Sequence, residues 1–152
     1  MSGRTAAGTV AVISGSTSDK QIVEQSTGML DQLGVKYEVK VLSAHRNPEG
    51  LRRFVEGSNA DIFIAIAGMA AHLPGVIASL TVKPVIGVPV SGKLGGLDAL
   101  LSIVQMPSGI PVASVAVDSG KNAGLLAAEI LALKDQGLKE KLLEYRRKLA
   151  EG

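Results

Sequence analysis

Short β-branched runs alternate with helix-spaced apolar segments along almost the whole chain, and no other sequence feature limits the fold as strongly. Thr9–Ser14 reads as a strand, and Asp19–Leu33 follows with Ile22, Val23, Met29, Leu30 and Leu33 near helical spacing. Gly34 stands where a helix stops. Val35–Leu42 and Pro48–Ser58 repeat the unit, with Leu51, Phe54 and Val55 on one helical face, Asn47 placed as a cap and Pro48 in the first turn. Ile62–Ala67 with Leu73–Leu80 makes a third unit. Pro84–Val90 makes a fourth strand, running through a glycine-rich loop into Gly96–Val104, and Pro111–Val117 pairs with a helix near Asn122–Lys134. Leu138–Ala150 is a separate C-terminal helix. Strands apolar on both faces cannot line a half-solvated sheet without exposing Val and Ile. The pattern therefore predicts an α/β, three-layer sandwich: a parallel sheet with helices on both faces.

The 152 residues fit one domain, residues 9–152 including the C-terminal helix, and a domain of this size buries roughly two-thirds of its unfolded surface. Met1–Gly8, small and polar with a single Arg4, reads as a disordered leader and not a signal peptide. Aromatic residues make up only 3% of the chain, too few for a base-stacking platform, so nucleic acid is not expected as a partner. The net charge of +2 suits a phosphorylated small molecule no worse than a polyanion. Cysteine is absent, which removes disulfides and thiol nucleophiles and is compatible with a reducing cytoplasm. Ile62–Val82 carries no Asp, Glu, Lys or Arg, yet a membrane-spanning helix needs about 20 apolar residues. Gly68, His72, Pro74, Gly75, Ser79 and Thr81 interrupt that run, so two shorter elements, and no membrane span, are expected.

The turns closing the first three strands hold the residues capable of chemistry. In an open parallel sheet such turns gather along one edge, where small ligands bind. The first, Ser14-Gly15-Ser16-Thr17-Ser18-Asp19, follows a strand and opens a helix, so its amides and hydroxyls converge on the positive end of the helix dipole. It lacks both the lysine-hydroxyl pair of a Walker loop and the G-x-G-x-x-G spacing. Ser18 or Asp19 serves equally well there as an ordinary cap. The second turn, Ser43-Ala44-His45-Arg46-Asn47-Pro48, sets an imidazole beside a guanidinium, and a guanidinium grips phosphate or carboxylate through two parallel hydrogen bonds. The third, Gly68-Met69-Ala70-Ala71-His72-Leu73-Pro74-Gly75, contains the other histidine, which either faces a ligand or orients its own glycine-rich backbone. Neither histidine has a carboxylate beside it in its motif, so no metal site is expected.

Together these motifs, with Leu100-Leu101-Ser102-Ile103-Val104-Gln105-Met106-Pro107 and Asn122-Ala123-Gly124-Leu125-Leu126-Ala127, resemble the N5-carboxyaminoimidazole ribonucleotide mutase family of purine biosynthesis, the class I form of phosphoribosylaminoimidazole carboxylase. The resemblance runs from Thr9 to about Leu133. It implies a flavodoxin-like subunit in a cytoplasmic homo-octamer, without a cofactor, acting on a ribonucleotide. The implied reaction moves a carboxylate from the exocyclic nitrogen to ring carbon 4, through carbon dioxide released and recaptured in a closed pocket. Carried over by position, His45 is the general acid and base. Ser16, Asp19 and Arg46 bind substrate, with Ser18 and Ser43 helping at the phosphate and ribose. Gly68, Ala71, His72 and Leu73 belong to the loop enclosing the base and carboxyl group. Asn47 stands where threonine is usual and Met69 where glycine is usual; neither change removes a proposed catalytic group. Two alternatives stay open: a class II-like carboxylase using aminoimidazole ribonucleotide plus carbon dioxide, and a non-catalytic flavodoxin-like nucleotide-binding module.

Two further features have structural expectations. Gln105 and Met106 read as helix-end packing, methionine being a good filler of irregular gaps. Leu138, Leu142, Tyr145 and Leu149 form one apolar stripe that must cover this subunit or a neighbour, and the oligomer implied by the family resemblance favours the neighbour.

Overall fold

The computed structural model describes residues 8–152. Residues 1–7, most of the expected leader, lie outside them. Five strands, β1 (Thr9–Ser14), β2 (Lys36–Val41), β3 (Ile62–Gly68), β4 (Val85–Val90) and β5 (Ala113–Ser114), form one all-parallel sheet in the order β2-β1-β3-β4-β5. The helices are α1 (Lys20–Leu33), α2 (Pro48–Gly57), α3 (Leu73–Leu80), α4 (Leu97–Val104), α5 (Gly120–Ala132) and α6 (Gln136–Ala150). This is the flavodoxin-like arrangement, whose connections reverse direction beside β1 and open a crevice at the carboxyl ends of the strands.

Alternate residues of each central strand feed two separate cores. Val10, Val12, Ile62, Ile64, Ile66, Ile86 and Val88 pack with α1, α5 and α6. Ala11, Ile13, Phe63, Ala65, Ala67 and Val85 pack on the opposite face with α2, α3 and α4. Each large aliphatic side chain fully buried this way contributes about 1.5–3 kcal/mol, which is why β1 and β3 tolerate no polar face. α1 and α5 approach closely because Gly120, Ala123, Gly124 and Ala127 line their contact: a Cβ at Gly120 would lie 2.2 Å from the Ile22 carbonyl oxygen. Punctuation is local. Asn47 Oδ1 accepts from Gly50 N at 3.0 Å to start α2, and Gly34, at φ 70°, ends α1.

Two expectations are corrected. The strand over Pro111–Val117 shrinks to Ala113–Ser114, because the carbonyls of Gly87 and Pro89 both accept from the β5 side (Val115 N at 3.2 Å, Asp118 N at 2.8 Å) and Pro89 has no N–H to return. Helices cover both faces of the sheet as expected, with Val39 and Val41 of the edge strand β2 remaining 42% and 51% exposed. The C-terminal stripe mainly serves its own chain: Leu138 and Leu142 are buried in the α1/α5 core with Tyr145 packed against it, and only Leu149 projects. Met106 packs as expected, its sulfur lying where a Cβ on Gly75 of α3 would reach to 2.8 Å. No described helix is long and apolar enough to cross a membrane.

Candidate active site

At the carboxyl edge of the sheet the turns after β1, β2, β3 and β4 enclose a cleft of about 510 Å³. Ser16, Ser18, Asp19, Ser43, His45, Arg46, Gly68, Ala71, His72 and Leu73 all line it.

In the β1 turn, Ser16 is the cap. Its extended backbone (φ −152°, ψ 153°) opens a short 3₁₀ turn over Thr17–Asp19, and its Oγ accepts from Ser18 N at 3.2 Å and from Ser18 Oγ at 3.0 Å. Asp19, at the start of α1, makes no side-chain cap bond, so its carboxylate is left to the cleft. Partial burial and the negative charge of Asp118 hold the Asp19 carboxyl above the ordinary carboxylate range. Capping by Ser18 or Asp19, the structural alternative for these residues, is not how this turn is built.

In the β2 turn, Ser43 Oγ accepts from Arg46 N at 3.1 Å, and Ser43 O from Asn47 N at 2.9 Å. These bonds, with the Asn47 cap, fold the turn so that His45 and Arg46 project from it. Arg46 makes no ion pair among the described residues, and an unpaired guanidinium lining the cleft is suited to an anion.

In the β3 turn, Met69 takes a left-handed conformation (φ 51°), and the chain then reaches His72, whose carbonyl accepts from Val76 N at 2.9 Å at the head of α3. His72 Nδ1 lies 2.6 Å from His45 Nε2, the two rings meeting edge to face at 4.7 Å. A hydrogen bond between two ring nitrogens needs one donor and one acceptor, so the pair holds its geometry when neutral or singly charged and breaks it when both rings are fully protonated. The partnership of the histidines was not visible in the sequence. They lie 27 residues apart, and only the strand order, with β2 and β3 flanking β1, makes their turns neighbours.

The β4 turn was missed as a wall of the cleft, although it follows a strand as the others do. Val90, Ser91 and Gly92 line it. Among the described residues, no three His, Asp or Glu side chains come together as a metal-binding group.

Fold and cleft define a flavodoxin-like α/β protein with a polar, histidine-bearing crevice at the carboxyl edge of its sheet. Residues 9–152 match the family model for AIR carboxylase. The chain is 61% identical over 140 residues to the N5-carboxyaminoimidazole ribonucleotide mutase of Methanocaldococcus jannaschii, spanning 92% of this chain and 89% of that one. To the Thermotoga maritima protein of the same name it is 48% identical over 146 residues, spanning 92% and 84%. The crystal structure of Treponema denticola PurE superposes with a TM-score of 0.87 at 30% identity, covering 95% of this chain and 92% of that one. The chain belongs to the AIR carboxylase family.

Proposed function

We propose that this protein is an isomerase of purine biosynthesis that converts N5-carboxyaminoimidazole ribonucleotide into 4-carboxy-5-aminoimidazole ribonucleotide, with His45 as general acid and base. The observation that carries the mechanism is the His45–His72 hydrogen bond inside a cleft that also presents Ser16, Asp19 and Arg46. The mutase names of the relatives support the substrate.

Arg46 and the amides at the start of α1 take the phosphate, with Ser18 and Ser43 beside it, while Ser16 and Asp19 hold the ribose. The bond from the exocyclic nitrogen to the carboxylate carbon breaks; its electron pair stays on nitrogen, which takes a proton from His45, and carbon dioxide is freed. Ring carbon 4 then attacks the carbon dioxide, and His45 recovers a proton from that carbon to restore the aromatic ring. One imidazole serves both transfers, and positioned acid–base groups give on the order of 10²–10⁴ in rate. His72 holds the His45 ring in one tautomer. Gly68, Ala71 and Leu73 give a small, aliphatic wall that excludes water around the freed gas.

The proposal extends to a homo-oligomer, an octamer by family resemblance, working in the cytoplasm. Supporting assembly, Leu97, Leu101 and Val104 form an exposed apolar stripe on α4. The test of function is direct: purified protein is mixed with N5-carboxyaminoimidazole ribonucleotide, without ATP or metal, and the carbon-carboxylated isomer is followed by absorbance. Turnover supports the mutase. Turnover only with aminoimidazole ribonucleotide plus bicarbonate identifies a class II-like carboxylase, and no turnover with tight nucleotide retention identifies a binding module.

A further inference from the structure

The turn between β5 and α5 carries a carboxylate that none of the roles above uses. Asp118 adopts a left-handed backbone conformation (φ 59°), one that Asp tolerates better than most side chains. Its N–H donates to Pro89 O at 2.8 Å, anchoring it to the end of β4. Its two carboxylate oxygens then accept separately from one residue, Oδ1 from Ser91 N at 2.8 Å and Oδ2 from Ser91 Oγ. Ser91 lines the cleft at the start of the Ser91–Gly96 loop. The far end of that loop is held by the residue next to Asp118: a Cβ on Gly96 would lie 2.6 Å from Val117 Cγ1. Residues 117–118 thus clip both ends of the loop.

We propose that Asp118 is a positioning residue for the reaction, which fixes the Ser91 wall of the cleft through its paired hydrogen bonds and sets a second negative charge against the substrate-binding carboxylate of Asp19. This rests on the mutase function for its consequence in turnover, though not for its geometry. The other charged or titratable groups around Asp19 are His45 and Arg46 from the β2 turn and His72 from the β3 turn. On α1 itself Lys20 turns to Glu24 at 3.6 Å, and on the adjoining α5 Lys121 lies over the Tyr145 ring. Burial favours the protonated Asp19 carboxyl first, and the charge of Asp118 adds to it. Asp19 therefore engages substrate hydroxyls as a carboxylate only once the solution is less acidic than an isolated aspartate would need.

The test separates charge from clip. Asp118→Asn keeps a carbonyl acceptor for Ser91 and tolerates the same backbone, whereas Ser91→Ala removes one of the paired bonds and leaves the charge. Carbon-detected NMR follows the side-chain carboxyls of wild type and Asp118→Asn, with Asp19→Asn assigning the Asp19 signal. The Asp19 midpoint moves to lower pH in Asp118→Asn; an unmoved midpoint overturns the proposal. In turnover, the acid limb of the kcat/KM profile moves the same way for Asp118→Asn. Ser91→Ala leaves that limb in place and raises KM severalfold, because a looser cleft wall must be ordered when substrate binds. A Ser91→Ala limb displaced as far as that of Asp118→Asn also overturns it. A wild type that does not isomerise the ribonucleotide defeats the mutase function alone, and the NMR titration still decides the role of Asp118.

Discussion

Single side chains at the sheet edge are held in states that cost free energy. Asp19 is one. Its carboxyl is raised by burial and by Asp118, so the protonated form is favoured in the folded protein. The stability this gives is complete below the unfolded aspartate value of about 3.9 and is lost as pH rises through the higher folded value, leaving a net penalty at neutrality. Asp19→Asn is therefore expected to melt at a higher temperature than wild type at pH 7, the difference closing as the pH is brought below 4, while substrate binding weakens; thermal melts across pH check it. Met69 is the other. It is 71% exposed and left-handed where the family resemblance has glycine, and relief of that strain, about 1–2 kcal/mol, exceeds the added chain entropy of glycine. Met69→Gly should raise the urea midpoint by up to about 1 kcal/mol equivalent. At this scale much of the cleft was legible. His45, Arg46 and the serines declared themselves as polar groups directly after apolar runs. Asp118 did not: it follows a stretch that reads as a longer strand, and its role depends on a backbone conformation that no periodicity records.

Whole elements follow their local chemistry closely where helix and strand signals are strong. β1, α3 and the Asn47-Pro48 start of α2 lie where spacing and caps put them, because apolar period, N-cap and first-turn proline agree. β5 was overestimated because Val112, Val115 and Val117 look like strand residues, while the limit on pairing sits in a different strand, at Pro89. The C-terminal stripe was legible as amphipathic but silent about its partner: both a neighbour and its own α1/α5 layer offer the same apolar chemistry. The α1–α5 contact makes a sharp prediction. Gly120→Ala drives a methyl into the Ile22 carbonyl, backbone that cannot swing aside, and should cost about 3 kcal/mol by denaturant unfolding, more than Gly57→Ala, whose Cβ meets nothing within 4 Å.

For the molecule as a whole, the sheet edge that gathers four turns into one cleft is the functional end, and the exposed α4 stripe is the part an isolated chain leaves unfinished. Leu101→Glu places a charge in that stripe without touching either core, so it should shift the sedimentation coefficient toward a smaller species while the far-ultraviolet spectrum stays that of the wild type. The all-parallel order and two-sided core were readable from alternating strands and helices; the size of any assembly was not, since apolar exposure states that a face is covered and not how many copies cover it.

The central claim is that one imidazole, steadied by a second, gives and takes back a proton while a carboxylate changes atoms. The most direct measurement is isomerisation of N5-carboxyaminoimidazole ribonucleotide by wild type and His45→Asn at matched saturation, with binding measured separately by calorimetry. His45→Asn should retain its fold and near-normal affinity, with turnover reduced by at least about 10²-fold. Turnover within a few-fold of wild type would contradict it.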